Sequence, residues 1–156
     1  VEKIVVSSPA FSDGGEIPVR HTCRAENLSP PLSFHGVPAE AMSLCLVLED
    51  LDNPGGPSAS WVVWNIPTTT VAVDENGMTR VPGAVVGVND ARQNRYIGPC
   101  RPLESTGYER RRYRITVRAL DELLELEPTS NREALMRAIE GRVLAKGTLS
   151  GSYRWY

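Results

Sequence analysis

Aromatic side chains are scarce in this chain, at 6% of the whole, and histidine occurs only twice. Cysteine occurs three times, at Cys23, Cys45 and Cys100. An odd number without CxxC spacing points to neither a complete disulfide framework nor a zinc site, so reduced, buried thiols are expected. The sequence leaves open whether Cys23 and Cys100 approach one another. No stretch nears the roughly 20 consecutive apolar residues needed to cross a bilayer, and the N-terminus lacks a basic region followed by a long apolar one. A soluble, cytoplasmic chain with no membrane span is the expectation. An excess of charge of one sign is also lacking: 17 Lys and Arg against 19 Asp and Glu leave a net charge of -2. That balance gives no polyanion-binding signature and argues against nucleic acid as a partner. Repeats, low-complexity tracts and linkers are absent too, and 156 residues suit one domain spanning 1–156.

Turn-forming residues, by contrast, are plentiful. The 12 prolines and 13 glycines cut the first two thirds into short segments, as in a β protein. Ser43 to Asp50 reads as a strand with Leu44, Leu46, Leu48 and Asp50 on one face. Ser60 to Ile66 is nearly all apolar and of strand length, which suggests burial on both faces, with Ser60 in phase with Val62, Trp64 and Ile66. Arg111 to Ala119 alternates, with Tyr113, Ile115, Val117 and Ala119 on one face and Arg112, Arg114, Thr116 and Arg118 on the other. That phase puts Arg111 on the core side and makes the short run Arg110 to Arg112 mainly a solvated face. Ser130 and Glu133 have capping-box spacing ahead of a helix that Gly141 would stop. Thr148 to Trp155 reads as a final half-buried strand. Many strands with few helices predict a mainly β, antiparallel, sandwich-like fold with peripheral helices.

Four segments, in order, resemble the phosphatidylethanolamine-binding protein family, whose bacterial and archaeal branch is often described as kinase-inhibitor-like. Ser8 to Pro38 carries a phenylalanine, Gly-x-Ile-Pro, a Thr-Cys pair and Asn-x-Ser-Pro-x-Leu. Leu48 to Pro67 is similar to the family's Asp-Pro-Asp-x-Pro loop and the tryptophan strand after it. Tyr96 to Pro102 matches a Gly-Pro-Cys-Pro-Pro turn, and Arg111 to Asp121 a His-Arg-Tyr strand. Arg132 to Arg154 resembles the terminal helix and strand. The resemblance implies a compact β fold with a cavity near one sheet edge that accepts phosphate, phosphoryl head groups or small carboxylates. By motif, its ligand-binding residues are Asp50, Tyr113, Gly98 and Pro99. The family's histidines are replaced by Ser60, Arg111 and Arg142. Leu51 stands where the loop proline belongs, and Asn53-Pro54 is a candidate cis bond within that tight loop.

Arginine holds its charge at any physiological pH and can grip two oxygens at once, whereas imidazole is mostly neutral near pH 7. Arg111 and Arg142 would therefore keep anion binding while removing its pH dependence, with Asp50 orienting them, Tyr113 donating a hydrogen bond and Gly98 permitting close approach. The competing reading is a closed pocket, in which Arg111 or Arg142 pairs with Glu49, Asp50 or Asp52, because a buried guanidinium requires an opposing charge. The expected function is a binding module for a small anion or phosphoryl group. The alternative is a protein-interaction inhibitor of kinases or proteases, and a homodimer is compatible with either. A hydrolase built on Ser60 or Asp50 is remote, because no histidine is placed as a base and there is no Gly-x-Ser-x-Gly elbow; the chain is expected not to be an enzyme. No cofactor is implied, and His21 and His35, without ligand spacing, are expected at the surface or in turns rather than on a metal.

Overall fold

The computed structural model describes residues 1–100 and 109–155. Four long strands form the frame: β5 (Ser43–Asp50), β6 (Ser58–Ile66), β9 (Glu109–Leu120) and β10 (Val143–Trp155). They lie antiparallel in the order β10-β9-β5-β6. Short strands complete the sheet: β1 (Glu2–Lys3) and β3 (Gly15–Glu16) pair parallel to β10, and β8 (Val85–Val86) pairs with β6. A second sheet of three strands, β2 (Val5–Ser7), β4 (Leu32–His35) and β7 (Ala72–Val73), covers one face. The other face is covered by helix α1 (Arg132–Ala138) and the chain leading into it.

This layering explains the burial of β5, all eight residues of which are buried. Leu44, Leu46 and Leu48 join Phe34, Trp61, Val63 and Ile115 in the core between the sheets. Cys45 and Val47 face the other way, into a smaller core with Val62, Trp64, Leu124 and Leu135. Burial pushes the Cys45 thiol up to about 12, so that it stays protonated. Strand β9 keeps the alternation expected of it: Tyr113, Ile115, Val117 and Ala119 pack inward, and Arg111 lies on that same side at 5% exposure.

Several sequence expectations are corrected. Helix α1 is capped by Asn131, whose Oδ1 accepts from the Ala134 N–H at 3.0 Å. Ser130 is instead held by backbone bonds, its N–H donating to Glu127 and its carbonyl accepting from Val88. The helix ends at Ala138, and Gly141, at φ +75°, follows in the turn to β10. No cis peptide occurs among the described residues; the loop after β5 reverses on Gly55 and Gly56, at φ +87° and +114°. Cys23 and Cys100 are joined in a disulfide across a sequence separation of 77, so only Cys45 is a free, buried thiol. The two histidines do stand in a turn and at the surface: His21 closes the turn Val19–His21, 1% exposed with Nδ1 2.9 Å from the Leu28 carbonyl oxygen, and His35 is exposed at the end of β4. Among the described residues, no helix is long and apolar enough to cross a membrane.

The first strands are fastened to β10 by close backbone contact. The Ile4 N–H donates to the Lys146 carbonyl at 3.0 Å, and a Cβ at Gly147 would collide with the Ile4 carbonyl oxygen. Gly147→Ala is therefore expected to cost roughly 1–3 kcal/mol through overpacking. Thermal unfolding checks this: the midpoint should fall by about 2–4 °C per kcal/mol, whereas Lys146→Ala, at an exposed position, should leave it nearly unchanged.

Candidate functional site

Antiparallel pairing places the C-terminal end of β5 beside the N-terminal end of β9, with Asp50 directly opposite Tyr113. Arg111 lies two residues nearer the start of β9 on the same face, just beyond the end of β5. From there its Nη1 donates to Asp50 Oδ2 at 2.8 Å, and its Nε donates to Glu109 Oε1 at 3.1 Å. The other Asp50 oxygen, Oδ1, accepts from the Asp52 N–H at 3.0 Å. The loop is tied down next to them by Asp52, whose carboxylate takes both side-chain and backbone hydrogen bonds from Arg112. Those bonds, the side-chain one foremost, hold the Asp52 carboxyl below the usual carboxylate range.

Beside this pair is a cleft of about 390 Å³, lined by Asp50, Ser60, Gly98, Arg111 and Tyr113 and additionally by Asn53, Ser58, Ala59, Asn89, Asp90, Ala91, Ile97 and Cys100. A bulge in β6 brings Ser60 into it. Leu48 pairs with Trp61 but Glu49 pairs with Ala59, so Ser60 is an extra residue in the ladder. The bulge overturns the expected phase: Ser60 reaches the cleft, while Val62 and Trp64 lie in the core on the other side of the sheet. The Ser60 hydroxyl is buried without a hydrogen-bond partner among the described residues. The far wall is stitched to the bulge by backbone bonds from Ile97 N–H to the Ser60 carbonyl and from Asp90 N–H to the Ala59 carbonyl; in return, Ala59 N–H donates to Asp90 Oδ2.

The electrostatics of the cleft are mixed. Burial works against the Arg111 charge, but the hydrogen bonds to Asp50 and Glu109 outweigh it and hold the guanidinium above its ordinary pKa. Burial, and then the Asp50 charge, push the Tyr113 hydroxyl well above its usual range, so it remains a neutral O–H. Among the described residues, Asp50 and Asp90 line the cleft and Glu109 pairs with Arg111, so carboxylates outnumber the one guanidinium that lines it.

Two expected site residues fall outside this arrangement. Arg142 precedes the end of β10 that pairs with Leu120, about 30 Å along the sheet from Arg111 at ~3.3 Å per residue. There its Nε lies 3.4 Å from Glu122 Oε1, half exposed. Pro99 is buried beside the cleft, and its carbonyl accepts from Cys23 N–H at 3.1 Å. Gly98 lines the cleft for a different reason from the one expected. Its missing Cβ makes room for the His21 carbonyl, and its N–H is already committed to Asn27 Oδ1 at 2.8 Å. Glu109 shares the face of Arg111 by strand phase, because β9 begins two residues before its predicted start. Asp90 and Asn89 carry no local signal, because only the fold brings their loop to β6.

Comparisons with known proteins agree with this architecture. The sequence profile of the phosphatidylethanolamine-binding protein family matches residues 7–154. A UPF0098 protein of Methanothermobacter thermautotrophicus is 45% identical over 148 residues, which is 93% of this chain and 95% of that one. The crystal structure of a putative phosphatidylethanolamine-binding protein homologue from Chlamydia trachomatis superposes with a TM-score of 0.87 at 34% identity, covering 98% of each chain. E. coli YbcL shares the fold at a TM-score of 0.86 and 24% identity, covering 97% of this chain and 98% of its own. Matched by profile over nearly its full length and by a close relative end to end, this chain belongs to the phosphatidylethanolamine-binding protein family.

Proposed function

We infer that the protein is a non-enzymatic binding module whose cleft receives one anionic group, a carboxylate or phosphoryl oxygen, on Arg111 and Ser60. The observation that carries this reading is the buried Ser60 hydroxyl, unpartnered among the described residues, in the same cleft as Arg111, whose side-chain hydrogen bonds to Asp50 and Glu109 use Nη1 and Nε. Buried polar groups are nearly always satisfied, and a ligand oxygen in the cleft would satisfy the Ser60 hydroxyl while meeting the Arg111 charge. Asp50 and Glu109 orient the guanidinium in advance, which lowers the ordering cost of binding. They also offset its charge. The site is thus suited to a singly charged group rather than a dianion, and its affinity is expected to be modest, with a dissociation constant of about 1 mM. The same two ion pairs favour a second reading, in which the Arg111–Asp50 pair is a structural clasp and the protein acts through its surface on a protein partner.

Titration with acetate, followed by calorimetry and amide chemical shifts, separates the two readings. Anion binding predicts saturable shifts around Ser60 and Arg111 with an affinity that stays flat between about pH 6 and 8, since arginine does not titrate there whereas an imidazole would lose charge through ~6.5. Absence of heat and of shifts at tens of millimolar favours the clasp. Ser60→Ala should weaken acetate binding about threefold to tenfold, the worth of one hydrogen bond, and change stability little.

Either reading makes the buried pair critical for stability. Arg111→Met leaves Asp50 without its guanidinium partner and is expected to cost about 3–5 kcal/mol in a denaturant melt. Adding Asp50→Asn should recover part of that loss. Additive losses would mean that the two side chains do not depend on each other.

A further inference from the structure

The cleft wall from Tyr96 to Cys100 is joined to the segment of residues 21–28 at successive points. At the inner end the Tyr96 hydroxyl donates to the His21 carbonyl at 2.7 Å, and Gly98 packs beneath that same carbonyl. Next, Gly98 N–H donates to Asn27 Oδ1 at 2.8 Å. At the outer end Cys23 N–H donates to the Pro99 carbonyl at 3.1 Å, and the Cys23–Cys100 disulfide closes the joint. The inner anchor is buried, with His21 and Gly98 both shielded. The outer one is not: Cys23 and Cys100 are both exposed, and Cys100 lines the cleft itself. A soluble dithiol can therefore reach this disulfide. Exposed disulfides are the ones that tend to be labile or regulatory. Cys45 does not compete for exchange, because it is sealed in the rear core.

We propose that the Cys23–Cys100 disulfide is a redox latch on the cleft, fixing the outer end of the wall when oxidised and releasing it when reduced. This rests on the reading of the cleft as an anion site. In the reduction, a thiolate of a small dithiol attacks one cysteine Sγ, the Sγ–Sγ bond breaks, and a mixed disulfide forms. The second thiol of the reductant then displaces the protein sulfur. The pair takes up two electrons and two protons, and the reductant leaves as a cyclic disulfide. The bond from Cys23 N–H to Pro99 is then the tie that remains at the outer end among the described residues, and a single hydrogen bond holds weakly. Tyr96 and Gly98 keep the inner end in place, so the wall stays attached while its mouth loosens. A ligand entering the reduced cleft must order that mouth as it binds, and affinity falls.

The test is acetate titration by amide chemical shifts before and after dithiothreitol, repeated on the Cys23→Ala/Cys100→Ala double variant, which needs no reductant. Reduction is expected to weaken binding about threefold to tenfold. It should also speed exchange of the amide at position 23 while leaving the Gly98 amide protected. The double variant should match the reduced protein. Equal affinity and equal exchange in both redox states would overturn the latch alone. Simultaneous loss of Gly98 protection would also overturn it, since the disulfide would then be holding the fold rather than the mouth. Binding in neither state would remove the anion reading and the latch with it.

Discussion

The organisation of the cleft depends on one buried ion pair, Arg111 with Asp50. Both side chains are largely withdrawn from water, and a charge in that position is tolerated only if its partner and its remaining hydrogen bonds are in place. Strand geometry supplies that condition. The β5 and β9 ladders run antiparallel and bring Asp50 opposite Tyr113, so Arg111 stands just past the end of β5 with its guanidinium directed back at the carboxylate. Asp52 closes over the same corner by taking hydrogen bonds from Arg112, the neighbour of Arg111 on the solvent side. The two faces of β9 thus hold this corner, one through a buried pair to the last residue of β5 and the other through an exposed pair to the loop after it.

What surrounds the pair is built from departures from regular structure. The bulge at Ser60 turns a hydroxyl out of the rear core's phase and into the cleft. The absent side chain of Gly98 lets the opposite wall pack under the His21 carbonyl, and the disulfide pins that wall at its outer end. Each is a local irregularity held by the regular sheet behind it. The Arg111–Asp50 pair lines the cleft, and the far wall is stitched to the bulge by backbone bonds that do not involve the pair. On the proposed reading, a cleft so furnished would favour a group that accepts hydrogen bonds without bringing much charge.

The long strands were legible because alternation over eight or more residues leaves little choice of face; the inward position of Arg111 followed from nothing else. Burial on both faces was legible for β6 from its unbroken apolar run, but less so for β5, where Cys45 and Val47 alternate with leucines and only the position of α1 shows that both sides are covered. The bulge was illegible, since one extra residue leaves no mark in composition and yet reverses every phase argument that crosses it. Motif matching identified the residues of the cleft through Asp50, Ser60, Gly98, Arg111 and Tyr113, but it could not distinguish a residue near a pocket from one in it. Arg142 lies at the far end of the sheet, and Gly98 serves packing. The Cys23–Cys100 bond was hidden by its separation of 77 residues and by the odd third thiol. The helix cap shifted by one because Asn131 is as good an acceptor as Ser130, whose backbone is taken up elsewhere.

The central claim is that a paired arginine still offers one face to a ligand. A crystal structure of the protein soaked in acetate examines it most directly. The account predicts density for the anion within hydrogen-bonding reach of Arg111 Nη2 and Ser60 Oγ, with the Arg111–Asp50 contact intact beneath it. An empty cleft at high acetate, or an Arg111 side chain turned away into bulk solvent and leaving Asp50 alone, would contradict it.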